Sequence, residues 1–183
     1  MRKVLRKKFF ERKAPIVARD LLGKYLVRQK GARVEAYILT EVEAYDGFRD
    51  RASHASRGQT PRNVIMFGDP GHLYVYFTYG MHWMLNVVTG KKGYPSAVLI
   101  RGVLGVTGPA RLTKKLNINK HQNGLPISRR SGIWFEDRGV VTSSRRIIRT
   151  PRIGVDSAGK EWAGKKWRFV LTLPPPRARS LKK

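Results

Sequence analysis

The sequence predicts an α+β domain organised on a largely antiparallel sheet. Three patterns carry this. Residues 34–45 alternate, with Val34, Ala36, Ile38, Thr40, Val42 and Ala44 on one face and Glu35, Tyr37, Leu39, Glu41, Glu43 and Tyr45 on the other, which is the period of a strand. Two β-prone runs, Leu73–Tyr79 and Met81–Val88, meet at Tyr79-Gly80-Met81 like the arms of a hairpin. Helical spacing is confined to short stretches.

Taken in order, the elements begin with a basic arm, Met1–Phe10, leading straight into the first helix. A mitochondrial presequence is the alternative reading of that arm; a secretory signal would need an apolar stretch that it lacks. Ile16, Val17, Leu21 and Leu22 place a short helix within Pro15–Val27, stopping near Gly23. The alternating strand follows. Asp46–Gly71, rich in Arg, Gly, Ser, Asp and Pro, reads mostly as loop. After the hairpin, Ala97–Leu104 is a further strand. Gly108–Leu116 is a helix opened by Thr107-Gly108-Pro109, with Pro near its first position. Trp167–Leu173 is the last strand. One domain is expected over residues 1–173, with the basic, Pro- and Arg-rich segment 174–183 as a mobile tail.

Composition narrows the partner. The chain has 183 residues, 41% hydrophobic and 10% aromatic, enough to bury a core. It also has 38 Lys plus Arg against 12 Asp plus Glu, a formal net charge of +26. Such a charge opposes compaction unless a polyanion neutralises it. Nucleic acid is the simplest polyanion; an anionic membrane ranks below it, because no long basic amphipathic helix or lipidation motif stands out. No apolar run approaches the length of a membrane span. The absence of cysteine excludes a disulfide framework, a cysteine zinc site and a thiol nucleophile, and fits a reducing compartment. Charge is also segregated: Pro70–Phe135 holds no Asp or Glu, whereas acids concentrate in Glu35–Asp50.

Four constellations are candidates for chemistry. Glu41-Val42-Glu43-Ala44-Tyr45-Asp46 ends a strand at a loop, so a carboxylate there could act as a general base. Glu41, Glu43, Asp46 and Asp50 could instead hold magnesium for phosphodiester cleavage, or simply balance Arg49, Arg51 and Arg57. His54–Asn63 is dense in side chains that bond phosphates and base edges, with an ordinary exposed loop as the plain alternative. A Ser–His hydrolase at His54 and Ser56 has no nucleophile-elbow pattern behind it. Tyr79, at the hairpin tip, suits insertion between base steps, while Tyr74 and Tyr76 are strand tyrosines with wet hydroxyls. Arg101 lies inside an apolar strand and needs a partner, either a carboxylate such as Glu43 or a phosphate.

The ordered set of motifs resembles the alkyladenine (3-methyladenine) DNA glycosylases. It runs through Ala18-Arg19-Asp20-Leu21-Leu22-Gly23-Lys24, Glu41–Tyr45, His54 with Gln59-Thr60-Pro61-Arg62-Asn63, Met66-Phe67, Gly71 and Leu73–Tyr76. It continues with Tyr79-Gly80-Met81, Asn86, Val98–Arg101, Gly108-Pro109, Arg152-Ile153-Gly154-Val155 and Trp167-Arg168-Phe169. The resemblance covers nearly the whole chain. It implies a single compact domain with a curved sheet, flanking helices and a protruding hairpin that inserts into DNA. It also implies a monofunctional glycosylase of base excision repair, acting as a monomer without metal or cofactor on duplex DNA. The damaged purines would be of the 3-methyladenine, 7-methylguanine, hypoxanthine and ethenoadenine class.

In this resemblance Glu43 matches the base that deprotonates water. Arg101 and a backbone carbonyl near Ile153 help hold that water. Tyr45, His54 and Tyr76 match the walls of the base pocket, Asn86 the residue that crowds normal guanine, and Tyr79 the inserted side chain. Arg57, Thr60, Arg62, Met81 and Lys114 are the expected DNA contacts. A bacterial or archaeal cytoplasm is the expected location, with a nuclear address left open.

Overall fold

A computed structural model describes residues 2–172; the expected tail at 174–183 lies outside them. The chain opens with a short strand β1 (Lys3–Val4), a single turn α1 (Lys7–Phe10) and helix α2 (Ala14–Leu21). Strands β2 (Tyr25–Lys30) and β3 (Arg33–Asp46) come next. A long segment with two 3-10 turns, His54–Arg57 and Val64–Phe67, leads to β4 (Leu73–Thr78), β5 (His82–Val88), β6 (Ser96–Val103) and β7 (Val106–Thr107). Helix α3 (Pro109–Leu116), β8 (Ile133–Asp137), β9 (Ile147–Thr150), α4 (Lys160–Gly164) and β10 (Arg168–Leu171) complete the described fold. All strand pairs are antiparallel, in the order β1-β8-β2-β3-β6-β5-β4, with β10 and β9 added beside β3. The α+β architecture expected from the sequence is present.

The helix expected within 15–27 stops near Gly23 as the sequence suggests, its last residue being Leu21. Gly23 takes φ +78°, a conformation that stops a helix, and Tyr25–Arg28 then pair with β3 on one side and β8 on the other. One reading needs correction: the basic arm does not run straight into a helix, because β1 first pairs with β8 and Leu5 is buried.

The alternation of β3 is real but changes phase. Leu39 pairs with Val103, Glu41 with Gly102, and Val42 with Ile100. Thr40 is therefore an extra residue on β3, and Arg101 an extra residue on β6, a pair of compensating bulges. Before the bulge Tyr37 and Leu39 pack on the core; after it Val42 and Ala44 do. Gly102 permits this close approach, since a Cβ there would stand 3.2 Å from the Cβ of Glu41.

The sheet consequently has two unlike faces. On one, Val42, Leu85, Val98 and Ile100 pack against Val17 and Leu21 of α2 and Leu112 and Leu116 of α3. Pro109 starts α3 at its first turn, and buried Arg28 closes its end by donating to the carbonyls of Leu116 (2.9 Å) and Asn117 (3.3 Å). On the other face, Tyr74, Tyr76, Met84, Asn86, Ala97, Leu99 and Arg101 line a cavity.

The hairpin tip carries strain. Tyr79 has φ +52° and Gly80 φ +67°, and the Met81 N–H bonds the Thr78 carbonyl at 3.2 Å. Glycine holds such a backbone freely; a bulky side chain does so at a cost of about 1–3 kcal/mol. Tyr79 is 79% exposed, so packing among the described residues offsets little of that cost. Asn tolerates this conformation better, and Asn-Gly is a favoured turn. Tyr79→Asn is therefore expected to stabilise the protein by about 1 kcal/mol, read by urea unfolding. A loss of stability would show that the tyrosine is not strained.

Candidate active site

Glu41 and Glu43 follow the bulge and share the face opposite the core. Their surroundings differ sharply. Glu41 Oε1 accepts from Arg101 Nε (2.8 Å) and Arg168 Nε (2.7 Å). Burial works against its charge, but these two guanidinium bonds win and hold its pKa below the ordinary value. Glu43 has no exposed surface. Burial pushes its pKa up, and Arg101, the Ile153 N–H and the Tyr45 hydroxyl counter this only in part. Oε1 accepts from Ile153 N (2.8 Å), Oε2 from Tyr45 Oη (2.9 Å), and Arg101 Nη1 stands 3.3 Å from Oε2. Arg101 thus bridges two carboxylates, which keep its pKa raised despite burial.

The cavity above Glu43 is small, about 290 Å³, just under the usual range for ligand pockets. Tyr45, Arg101 and Ile153 line it and also touch Glu43, so access to the carboxylate runs past them. Its aromatic wall is His54, Tyr74 and Tyr76. The His54 ring lies 4.6 Å from Tyr76, and its Nδ1 is 3.1 Å from the Tyr74 hydroxyl. Crowding by protein atoms, then Arg62, lowers the His54 pKa, which keeps the ring neutral near pH 7. Burial pushes Tyr76 up to about 12. Asn86 donates to the Tyr74 carbonyl at 3.0 Å. Tyr79 also lines the cavity, so the five sequence candidates for pocket and hairpin tip, Tyr45, His54, Tyr76, Asn86 and Tyr79, meet there with the catalytic candidate Arg101.

The outer candidates divide. Arg57 is exposed. Arg62 is engaged within the protein: Nη2 donates to the Phe77 carbonyl at 2.9 Å and the guanidinium lies over Tyr76 at 5.2 Å. The Thr60 hydroxyl accepts from the Asn63 N–H at 3.3 Å. Met81 and Lys114 flank a separate groove of about 500 Å³ with Trp83 and Arg111. Near Ile153 the backbone N–H, rather than a side chain, makes the contact to Glu43.

Sequence reasoning missed the bond that holds this arrangement. Asp50 and Arg152 form a bidentate pair, 2.6 and 2.8 Å, with neither side chain exposed. Asp50 also accepts from the N–H groups of Asp46 and Ala52, and Arg152 donates to the Ala44 carbonyl. The pair ties the segment carrying Ile153 to the end of β3 at Asp46, three residues from Glu43. In sequence Asp50 lies between Arg49 and Arg51 and resembles local charge balance; nothing there points to residue 152. Asn63, buried, braces the loop by donating to the carbonyls of His54 and Gly58.

The magnesium reading does not survive this geometry. Glu41 and Asp50 are already paired with guanidinium groups, and among the described residues no three His, Cys, Asp or Glu side chains stand close enough to form a metal site.

An aromatic-walled cavity whose lining residues Tyr45, Arg101 and Ile153 also hold a buried carboxylate, beside an exposed tyrosine in a basic chain, fits an enzyme that acts on a nucleobase. The chain belongs to the methylpurine-DNA glycosylase family: it matches that family over residues 8–107 and 104–175. It is 42% identical to a protein of Methanocella arvoryzae, over 91% of each chain. It is 44% identical to one of Anaeromyxobacter dehalogenans, over 93% of this chain and 86% of the relative. A Legionella pneumophila relative is 42% identical over 96% and 97%. All three are named "Putative 3-methyladenine DNA glycosylase".

Breaking a buried ion pair leaves one charge stranded, at a cost of about 3–5 kcal/mol. Arg152→Met should lose that much stability in urea unfolding, and adding Asp50→Asn should recover part of it. A loss below about 1 kcal/mol would show that the pair is not desolvated as described.

Proposed function

We propose that this protein is a monofunctional DNA-3-methyladenine glycosylase of base excision repair. It flips a damaged purine nucleotide out of duplex DNA and hydrolyses its N-glycosidic bond, leaving an abasic site. The observation that carries the mechanism is the divergence of two carboxylates two residues apart. Glu41 is locked as an anion between Arg101 and Arg168, whereas Glu43 is pushed toward the neutral form by burial. Such a split marks the member suited to proton transfer.

Glu43 accepts a proton from water while the water oxygen attacks C1′. The bond from C1′ to the base nitrogen breaks, and its electron pair leaves with the purine. Arg101 holds Glu43 and the water; the anionic Glu43 also steadies positive charge developing on the sugar. A base within a duplex is out of reach, so flipping comes first, at a cost of a few kcal/mol, least for a damaged base. Tyr79 fills the gap left in the stack. Alkylated purines are often cationic, and the faces of Tyr45, Tyr76 and a neutral His54 favour a cation. Hypoxanthine and ethenoadenine belong to the same proposal, with Asn86 disfavouring the exocyclic amine of guanine. Arg57, Arg62, Thr60, Met81 and Lys114 contact DNA around the lesion. The protein acts as a monomer, in the cytoplasm of a bacterial or archaeal cell; the cysteine-free composition supports a reducing compartment.

The deciding assay incubates duplexes carrying hypoxanthine or a 3-methyladenine analogue with EDTA present. Free base should appear, with strand breaks only after alkali; direct breaks or no release would overturn the reading. Glu43→Gln should lower excision by about 10²-fold or more while lesion-duplex binding persists. The acidic limb of the wild-type rate profile should lie above the ordinary carboxylate range, since Glu43 loses its anionic form as pH falls through a raised pKa. The same shift has a stability sign. The folded pKa exceeds the unfolded one, so the ionised side chain weakens the fold at neutral pH. Glu43→Gln should therefore melt higher than wild type at pH 7, and the difference should shrink as pH falls through the folded pKa.

A further inference from the structure

A second cationic concavity lies away from the base pocket. It is a groove of about 1180 Å³ bounded by the N-terminal arm, α1, the outer side and end of α2, and residues 140–147. It shares no lining residue with the cavity above Glu43. Helix α2 separates the two: Val17, Ala18 and Leu21 pack on the core face of the sheet, while Arg19, Asp20 and Leu22 line the groove.

Seven cationic side chains line this groove against two carboxylates, Asp20 and Asp137. Both carboxylates are already paired, Asp20 with Arg12 and Arg19, and Asp137 with Lys24. Arg2, Lys3, Arg6 and Lys8 have no carboxylate within ion-pair distance among the described residues. Residues 173–183, which lie outside the described part, contain Arg177, Arg179, Lys182 and Lys183 but no Asp or Glu. Arg12, in its wall, keeps a buried Nη2 without a hydrogen-bond partner, an exception to the rule that buried donors are satisfied.

The arm is also held in place. Lys3 and Val4 pair with Asp137 and Glu136, Leu5 is buried, and its N–H bonds the Phe135 carbonyl at 2.9 Å. A charge that served only as a loose tether would need no such strand. Fixed cations along a concave wall focus a field on a linear polyanion.

We propose that this groove binds the phosphate backbone of a second DNA duplex while the first occupies the base pocket. This rests on the reading of the protein as a DNA enzyme. The consequence is direct transfer between neighbouring DNA segments, with the protein passing from one duplex to the other without full release.

The test uses the full chain and two short duplexes. One carries hypoxanthine and is immobilised; the other is undamaged, fluorescent and free. At low salt, wild-type protein on the first duplex should retain the second. Arg6→Glu/Lys8→Glu should lower that retention at least ~5-fold, since each lost phosphate contact removes about one unit of the log–log salt slope. Its single-turnover excision on the immobilised duplex should stay within about twofold of wild type, as expected for cations remote from the site. The milder Arg6→Gln/Lys8→Gln should give an intermediate loss and covers the event that charge reversal impairs folding. No retention by wild type, or equal retention by the variants, overturns the second site. Parallel loss of excision by a variant that melts like wild type also overturns it, because the groove would then serve the first duplex. Failure of wild type to excise hypoxanthine, with retention intact, counts against the glycosylase reading and leaves the groove standing.

Discussion

A carboxylate without exposed surface stands at the centre of this fold, and the arrangement around it follows from keeping it able to ionise. Burying Glu43 with nothing beside it would leave it neutral at all physiological pH. One full ion pair would pull it the other way and make it a poor base, as happens to Glu41. The protein stops between these limits. Arg101 reaches Glu43 only at 3.3 Å, because its Nε is turned to Glu41. The closer contacts are a tyrosine hydroxyl and one backbone N–H. Glu41 thus acts on Glu43 indirectly, by taking a share of the same guanidinium.

This balance requires Arg101, Glu41 and Glu43 to face the same side of two adjacent strands. The paired bulges supply that. The extra residue on β3 turns Glu41 and Glu43 to the cavity while Val42 and Ala44 take over the core that Tyr37 and Leu39 hold further back. The extra residue on β6 is Arg101 itself. The third contact, Ile153, arrives from a segment distant in sequence and is fixed by the Asp50–Arg152 pair beside it. A buried ion pair is weak support for net stability, since desolvation offsets its attraction. Its clearer effect here is geometric, holding one peptide N–H against one carboxylate oxygen.

Much of this was legible in the sequence, and the gaps have physical causes. Alternation identified β3, a Gly-centred tip identified the β4–β5 hairpin, and Gly-Pro identified the start of α3. Period-two reasoning could not see the bulge, because inserting Thr40 changes which face is buried without changing the residues that alternate. Strand β2 went unassigned because Tyr25–Lys30 is short and weakly patterned, and its pairing is supplied by β3 and β8 on its two edges. Strands β1, β8 and β9 are short, and β9 is basic, so their pairing is decided by neighbours rather than by pattern. In the site, Tyr79, Arg101 and Glu43 each carried a local mark: a tip aromatic, an arginine in an apolar strand, a carboxylate at a strand end. The pocket walls Tyr45, His54, Tyr76 and Asn86 were legible only through the family resemblance. Asp50 entered only among the carboxylates of a magnesium reading and Arg152 only inside a family motif; nothing local linked the two, and their mutual burial gives them their role.

The charge divides in the same way. Part of the +26 is internal and structural: Arg28 caps a helix, Arg62 holds the hairpin, and Arg101, Arg152 and Arg168 organise carboxylates. Such arginines do not demand a polyanion, because the fold already answers them. Cations without an ion-pair partner among the described residues include Arg111 and Lys114 near the hairpin and Arg2, Lys3, Arg6 and Lys8 along the fixed arm. Self-repulsion from these groups opposes folding, and Tyr79 adds strain at the tip. Under the proposed function both penalties fall on surfaces that DNA would cover, where a phosphate backbone would relieve the charge and a base stack would receive the ring, so that binding would restore the stability given up there.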